Sequence, residues 1–415
     1  MNYQEALDWI HGRSTFGIKP GLERMAWMLE ELGNPQKTLS AVHIVGTNGK
    51  GSVTSYLQHI FSQAGYEVGT FTSPYIVDFR ERISLNGQMI SETDFLDVVK
   101  RVRPVVERLS LETNLEPATE FEVITVLMLE YFGHIHPVDI AFIEAGMGGL
   151  YDSTNVFKAL AVICPSIGLD HQSVLGETYT EIAEQKAGVL TENVPFIFAT
   201  KRDDVRQVFI KKAQSCGSQT YESQKDFSIT KTKNGFDYYG QEVLNDVHLA
   251  MPGEHQISNA SLVITAALLL SKTYSKVTKE TIKTGLAQTR WAGRTELLFP
   301  NVMIDGAHNQ ESVQALVNVM QTYKDKNVHI LFAAIDTKPI DSMLESLSQL
   351  AEVAVTTFEY HKALSLECYP KQYHKVLHWK DWISQINFDS KDDFYLITGS
   401  LYFIAQVRSM LLSKQ

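Results

Sequence analysis

A two-domain α/β fold is predicted for this chain by three observations. Short apolar runs alternate with longer stretches of helical spacing, a glycine-rich turn sits where one such run gives way to a helix, and at 415 residues the chain exceeds what one hydrophobic core serves comfortably. Alternation of that kind is the pattern of a mainly parallel sheet covered by helices.

The elements follow in order. Ala41–Val45, Val68–Phe71, Val138–Ile143, Leu160–Ile163 and Pro195–Ala199 read as strands of the first domain, with helices over Glu92–Leu111, Glu120–Phe132 and Thr180–Leu190. From Thr220 to Ala250 the texture changes to period-two alternation, in Phe227-Ser-Ile-Thr and Phe236-Asp-Tyr-Tyr, which predicts a small antiparallel subsheet, an accessory flap. Ser258–Ser271 and Lys279–Thr289 return to helical spacing. The apolar run Ala260–Leu270 inside the first of these is too short to span a bilayer and predicts a buried helix. Arg290-Trp-Ala-Gly-Arg-Thr-Glu then breaks the pattern, which places the first domain at 1–290, a linker at about 291–297 and a second, smaller Rossmann-like α/β domain at 298–415. Its strands are expected at Val302–Ile304, Val328–Ala333, Val353–Thr357 and Phe394–Ile397, and its helices at Gln310–Thr322, Ile340–Leu350 and Leu401–Leu412.

The turn that follows the first strand is the most informative segment. In His43-Ile-Val-Gly-Thr-Asn-Gly-Lys-Gly-Ser52, Gly46, Gly49 and Gly51 let the backbone bend so that successive N–H groups face inward, and Lys50 adds a mobile positive charge. Val53, Leu57, Ile60, Phe61 and Ala64 continue at helical spacing, so the turn opens a helix whose N-terminus favours anions. Thr47, Asn48, Gly49, Lys50, Gly51 and Ser52 are therefore the expected nucleotide phosphate cradle, and the first domain is of P-loop ATPase type. The common P-loop pattern places glycine five residues before the Gly-Lys pair and a hydroxyl directly after the lysine; here Ile44 and Gly51 hold those positions, and Ser52 comes one residue late.

Composition bounds the remaining classes. The chain is 44% hydrophobic and 20% charged, with a formal charge of −11, so no basic face for nucleic acid is expected. No secretory leader or membrane segment is legible, and Cys164, Cys216 and Cys368 lack the spacing of a disulfide framework or zinc site, which fits a cytoplasmic location.

Further polar groups stand at strand ends, where open α/β sheets bind ligands. Glu144-Ala-Gly-Met-Gly-Gly follows one strand, and a carboxylate there suits a magnesium ion that must approach phosphates. Asp152-Ser-Thr-Asn comes next. Another strand leads to Asp170-His171, where the imidazole can face a metal with Asp170 orienting it, and then to a helix that carries Lys186.

Taken together these segments resemble the folylpolyglutamate synthase / dihydrofolate synthase family of the Mur ligase superfamily. The resemblance rests on Gly46-Thr-Asn-Gly-Lys-Gly-Ser52, Thr72-Ser-Pro-Tyr-Ile, Thr119-Glu-Phe-Glu, Glu144-Ala-Gly-Met-Gly-Gly, Leu169-Asp-His and Gln185-Lys-Ala-Gly in the first domain. In the second it rests on Trp291-Ala-Gly-Arg, Asp305-Gly-Ala-His-Asn and Thr398-Gly-Ser-Leu-Tyr, and it runs from Asn2 to about Leu412.

The resemblance implies an ATP-dependent ligase. ATP phosphorylates the terminal carboxylate of a reduced folate's glutamyl tail, and the amine of L-glutamate attacks the acyl phosphate to give an amide, ADP and phosphate. It implies Ser73, Glu144 and His171 as ligands of one or two Mg2+ ions, and Lys50, His171 and Lys186 as catalytic residues, Lys186 matching a lysine that this superfamily can carbamylate. Asn259, Arg294, Asp305 and His308 match nucleotide contacts, with Arg294 and His308 meeting phosphate and Asp305 the ribose. Tyr75, Arg82, Thr119, Glu120, Phe121, Asp152 and Ser400 match the substrate side, with Tyr75 and Phe121 as stacking partners for a pterin and Ser73–Ile83 as a mobile loop. A monovalent cation is a further candidate cofactor, and a monomer is expected.

Leu150, Gln310 and Asp336-Thr-Lys-Pro depart from the family pattern without removing a proposed metal ligand. Two alternatives remain open on the sequence: glutamate addition to dihydropteroate, alone or as a second activity, and a catalytically idle nucleotide-binding protein.

Overall fold

The computed structural model describes residues 1–13, 17, 19–336 and 338–413. It divides into two compact units, the first formed by Met1–Tyr75, Phe79–Leu249 and Ser258–Thr289, the second by Ile76–Asp78, Ala250–Ile257 and Arg290–Gln415.

The first unit is built on eight strands: β1 (Ala41–Ile44), β2 (Val68–Phe71), β3 (Ile83–Leu85), β4 (Gln88–Met89), β5 (Ile140–Glu144), β6 (Val162–Cys164), β7 (Phe196–Phe198) and β8 (Thr220–Glu222). Their order across the sheet is β4-β3-β2-β5-β1-β6-β7-β8. All pairings are parallel except β2–β3 and β3–β4, so a short antiparallel hairpin finishes one edge. β1 lies at the centre between β5 and β6, with every residue buried, as a strand covered on both faces requires.

Ten helices accompany this sheet. They are α1 (Tyr3–His11), α2 (Glu23–Glu31), α3 (Lys50–Gln63), α4 (Glu92–Glu112), α5 (Glu120–Glu130), α6 (Gln172–Leu175), α7 (Tyr179–Ala187), α8 (Asp203–Ser215), α9 (Glu254–Leu270) and α10 (Lys279–Gln288). The first four residues of α9 fall in the second unit. α3 is buried on nearly all sides. α10 approaches it so closely at Gly285 that an added Cβ would lie 2.7 Å from Ile60 Cα, a distance only glycine permits.

Thr220–Ala250 divides differently from the sequence expectation. Thr220–Glu222 joins the large sheet in parallel as β8, and only β9 (Ser228–Lys231), β10 (Phe236–Tyr239) and β11 (Val243–Val247) make the separate antiparallel sheet. That sheet is anchored rather than loose. Phe236 and Tyr238 are fully buried, and the Tyr238 hydroxyl lies 2.8 Å from Thr265 Oγ1 on α9.

The second unit carries β12 (Glu296–Phe299), β13 (Val302–Asp305), β14 (Asn327–Ala333), β15 (Val353–Thr356), β16 (His374–Val376) and β17 (Asp393–Gly399), in the order β12-β13-β17-β14-β15-β16. Only β12–β13 is antiparallel. α11 (Gln310–Met320), α12 (Asp341–Ser348), α13 (Trp379–Ser384) and α14 (Leu401–Leu412) complete it, with apolar cores on both faces of the sheet. Among the described residues no helix is long and apolar enough to cross a membrane.

Candidate active site

β1 delivers the chain into the glycine-rich turn, and the turn is clasped to the segment after β6. Thr47 N–H donates to the Ser166 carbonyl at 2.9 Å; Thr47 Oγ1 accepts from Gly168 N–H at 2.9 Å and donates to its carbonyl at 3.1 Å. Asn48 N–H donates to Ser166 Oγ at 2.9 Å, and that hydroxyl donates back to the Asn48 carbonyl at 2.9 Å. Gly49, at φ +91°, is the N-cap of α3, and a Cβ there would sit 2.7 Å from Asn259 Oδ1. Asn259 therefore lies against the cradle. α3 has no side-chain cap and no acidic residue in its first turn, so its positive end is left for an anion.

Two cations meet at one backbone oxygen beside this helix. The Gly46 carbonyl accepts from Lys50 Nζ at 3.0 Å and from Lys186 Nζ at 2.8 Å. Lys50 also reaches the Thr47 carbonyl at 3.4 Å and lies 3.7 Å from Glu144 Oε1. Lys186 is buried at 4% exposure. Burial first, and the neighbouring charge of Lys50 second, push its amine down to about 7, with Cys164, Asp170 and Asp152 opposing the shift.

Glu144 ends β5, is buried, and takes Ser73 N–H on Oε2 at 3.5 Å. Ser73 and Glu144 thus stand together. His171 is placed differently: its side chain is half exposed, its backbone is left-handed at φ +52°, and Nε2 lies 3.9 Å from Asp170 Oδ2. Among the described residues no three His, Cys, Asp or Glu side chains are arranged to hold a metal. The expected set contains only two such residues. Its third member is a hydroxyl, and Ser73 beside the buried Glu144 carboxylate gives hard oxygens that fit a magnesium ion keeping most of its shell for other ligands and water.

Of the residues expected on the substrate side, Tyr75, Arg82, Thr119, Glu120 and Phe121 cluster around the start of α5. Thr119 is its N-cap and forms a reciprocal capping box with Glu122, which also pairs with Arg24 Nε at 2.9 Å. Thr119's hydroxyl oxygen therefore accepts from the first turn of the helix. Glu120 lies 3.9 Å from Arg82 NH2 and 3.5 Å from His11 Nδ1. The Phe121 ring lies on Gly146, where any Cβ would overlap it. Arg82 sits 5.3 Å over Tyr75 and 5.2 Å over Phe79, a cation–π arrangement. Within the expected loop Ser73–Ile83, Phe79–Arg82 forms a 3-10 turn and Ile83 opens β3.

Asp152, expected on the substrate side, is engaged by its own loop. It is buried, and both carboxylate oxygens are taken by its own loop: Oδ2 by Met147 N–H at 2.7 Å, Oδ1 by Thr154 N–H at 3.0 Å and Thr154 Oγ1 at 2.5 Å. A carboxylate so engaged fastens a loop, a use that the spacing Asp152-Ser-Thr signals through its Asx-turn chemistry.

In the second unit Arg294, Asp305 and His308 gather at Gly306. Its carbonyl accepts from Arg294 NH1 at 2.9 Å and from His308 Nδ1 at 2.7 Å. Asp305 is buried and accepts Thr295 N–H at 2.6 Å; burial raises its carboxyl above the ordinary range, against the pull of Arg294. Ser400 is buried ahead of α14, and its N–H donates to the Ala333 carbonyl at 2.8 Å.

Two departures from the family pattern have local reasons. Leu150 N–H donates to the Gln185 carbonyl at 2.7 Å and its side chain packs where Gly188 has none. Gln310 opens α11 and donates to Ser346 Oγ at 3.0 Å. Of Asp336-Thr-Lys-Pro, Thr337 lies outside the described residues, and Lys338 N–H donates to the Ile335 carbonyl at 3.3 Å.

With a glycine-rich strand-to-helix turn on one α/β unit and a second α/β unit after it, the chain matches the family models for the Mur ligase middle domain over residues 44–267 and the Mur ligase glutamate ligase domain over residues 293–401. It is 38% identical to the dihydrofolate synthase/folylpolyglutamate synthase of Bacillus subtilis (strain 168) and 31% identical to the folylpolyglutamate synthase of Lacticaseibacillus casei, with 99% of both chains covered in each case. Among solved structures it matches the apo form of L. casei FPGS at 31% identity and a TM-score of 0.88, and an FPGS–AMPPCP–folate complex at 30% identity and 0.86. Each match covers 99% of this chain and 100% of the other. The chain belongs to the folylpolyglutamate synthase/dihydrofolate synthase family of Mur ligases.

Proposed function

We propose that the protein is an ATP-dependent ligase that joins L-glutamate to the γ-carboxyl of a reduced folate's glutamyl tail through an acyl phosphate. The observation that carries this reading is the convergence of Lys50 and Lys186 on the Gly46 carbonyl, beside buried Glu144 and at the head of α3.

A carboxylate is a poor electrophile, and phosphorylating it requires charge stabilisation on the transferred phosphoryl group. In this reading Thr47–Ser52 wrap the phosphates with backbone N–H groups, and Lys50 neutralises the charge that develops on them. Asn259, Arg294, Asp305 and His308 serve as nucleotide contacts. Magnesium, when bound, would be held by Glu144 and Ser73, with His171 as a third candidate, and supplies Lewis acidity toward phosphate oxygens. A Lys186 amine that is half neutral near pH 7 suits carbamylation, in which its nitrogen attacks the carbon of CO2 and releases a proton. Phe121, lying on Gly146, is the candidate platform for the pteridine.

A second reading, glutamate addition to dihydropteroate, is favoured by the 38% identity to a relative named for both activities. The test is glutamate-dependent phosphate release from Mg-ATP, run in parallel with tetrahydrofolate monoglutamate and with dihydropteroate. Release with the folate alone supports a tail-extending synthase, and release with both supports a bifunctional enzyme. Silence with both, with ATP still bound, rejects the ligase reading.

A further inference from the structure

Beneath the loop that follows Glu144 runs a chain of three buried polar side chains. His43 on β1 is 1% exposed, Thr154 0% and Asp152 6%. His43 Nε2 lies 2.8 Å from Thr154 Oγ1, and Thr154 Oγ1 lies 2.5 Å from Asp152 Oδ1.

The direction of each bond follows from chemistry. Met147 N–H and Thr154 N–H can only donate, so Asp152 is the acceptor at both oxygens. Burial raises the Asp152 carboxyl and the hydrogen bonds from Met147, Thr154 and Gly146 lower it; with Asp152 as the carboxylate, the short contact from Thr154 Oγ1 is a donation to it, which uses the hydroxyl's single proton. What remains on that oxygen is a lone pair, so His43 Nε2 must carry a proton and donate it. Burial pushes the imidazole down to about 3, consistent with a neutral ring protonated at Nε2.

We infer that His43 and Thr154 are positioning residues that act through Asp152 to set the Gly146–Met147 loop on which the Phe121 ring rests. The inference builds on the proposed ligase reading, in which Phe121 faces the pteridine. Asp152 pulls Met147 N–H inward, and Gly146, next to it, takes the ring at a distance no side chain would allow. The phosphate cradle is fastened independently, by Ser166 and Gly168. Loosening the chain at Thr154 therefore reaches the pteridine side before the nucleotide side.

Thr154→Val keeps the shape and removes both hydrogen bonds, whereas Thr154→Ser keeps them. Loss of a hydrogen bond to a charged group is worth about tenfold or more. Expected for Thr154→Val are a KM for the pteridine substrate raised about tenfold, a KM for ATP within about twofold of the parent, and faster hydrogen exchange of the Met147 amide. Thr154→Ser should match the parent in all three. His43→Phe, which keeps a ring and drops the donor, should shift the same two quantities by less. Should Thr154→Val fail to fold, Asp152→Asn serves in its place, since an amide cannot accept at both positions.

A folded variant with parental pteridine KM and parental Met147 exchange overturns the inference, as does an equal rise in both KM values. Met147 exchange also separates this inference from the ligase reading. Accelerated exchange in Thr154→Val alongside a parent that releases no glutamate-dependent phosphate supports the positioning chain and rejects the reading above it.

Discussion

Two strand-end glycines, one in each unit, gather nitrogen donors on their carbonyls, and they do so with different chemistry. Gly46 gathers two lysines, one of them buried; Gly306 gathers an arginine and a histidine. A guanidinium stays charged in any protein environment, whereas an ammonium that loses its hydration beside another ammonium gives up its proton readily. The first loop is thus sensitive to the protonation of Lys186 in the neutral range, whereas the donors at the second are a guanidinium and an imidazole. What distinguishes them is the kind of donor and its burial.

The largest effect is expected from Lys50→Ala, which should lower turnover by about 10²–10³-fold while circular dichroism reports a folded chain. Arg294→Ala should cost less, roughly tenfold to a hundredfold in the same phosphate-release assay, since a contact to bound nucleotide weighs on binding as well as on the transition state. Equal losses in the two variants would erase the difference between the loops.

Lys186→Met sharpens it. In CO2-depleted buffer, which keeps Lys186 unmodified, burial holds the amine down to about 7 in the folded chain against an ordinary value of 10.5, so between those values the unfolded chain binds more protons and stability rises with pH. From pH 7 to 9 that contribution is roughly 2 kcal/mol in favour of the folded state, and denaturant unfolding of Lys186→Met should lack it. Arg294→Met should retain it. The smallest effect belongs to a residue outside both loops: Thr119→Ala removes the capping box of α5 and should cost about 1 kcal/mol by denaturant unfolding, with no change in the pH dependence.

Much of this layout is legible in the residues themselves. β2 and α14 are found where periodicity puts them, and the glycine-rich turn lies where the sequence places it, between β1 and the start of α3. The hairpin of β3 and β4 and the strands β12 and β16 escape pattern reading. Each is only two to four residues long and owes its existence to pairing with a distant segment. α1 carried a readable signal, Asn2 three residues before Glu5, which the structure uses as a capping box. The candidate site was legible as a set of residue types but not as an arrangement. Nothing in Gln185-Lys-Ala-Gly announces that Lys186 points into the interior at Gly46. Asp152 and Thr119 are polar residues in motif positions that the structure spends on fastening a loop and a helix. His43, one polar residue in a buried strand, could be understood only once Thr154 was found beside it.

The three thiols grade from surface to centre and so provide a native clock. Cys368 is exposed, Cys216 is intermediate, and Cys164 is fully buried at the end of β6, one residue before the Pro165–Gly168 stretch that clasps the glycine-rich turn. An alkylating reagent will mark Cys368 in the intact protein. It can reach Cys164 only when the centre of the sheet parts, so the slow phase of labelling times the opening of the segment that holds the loop.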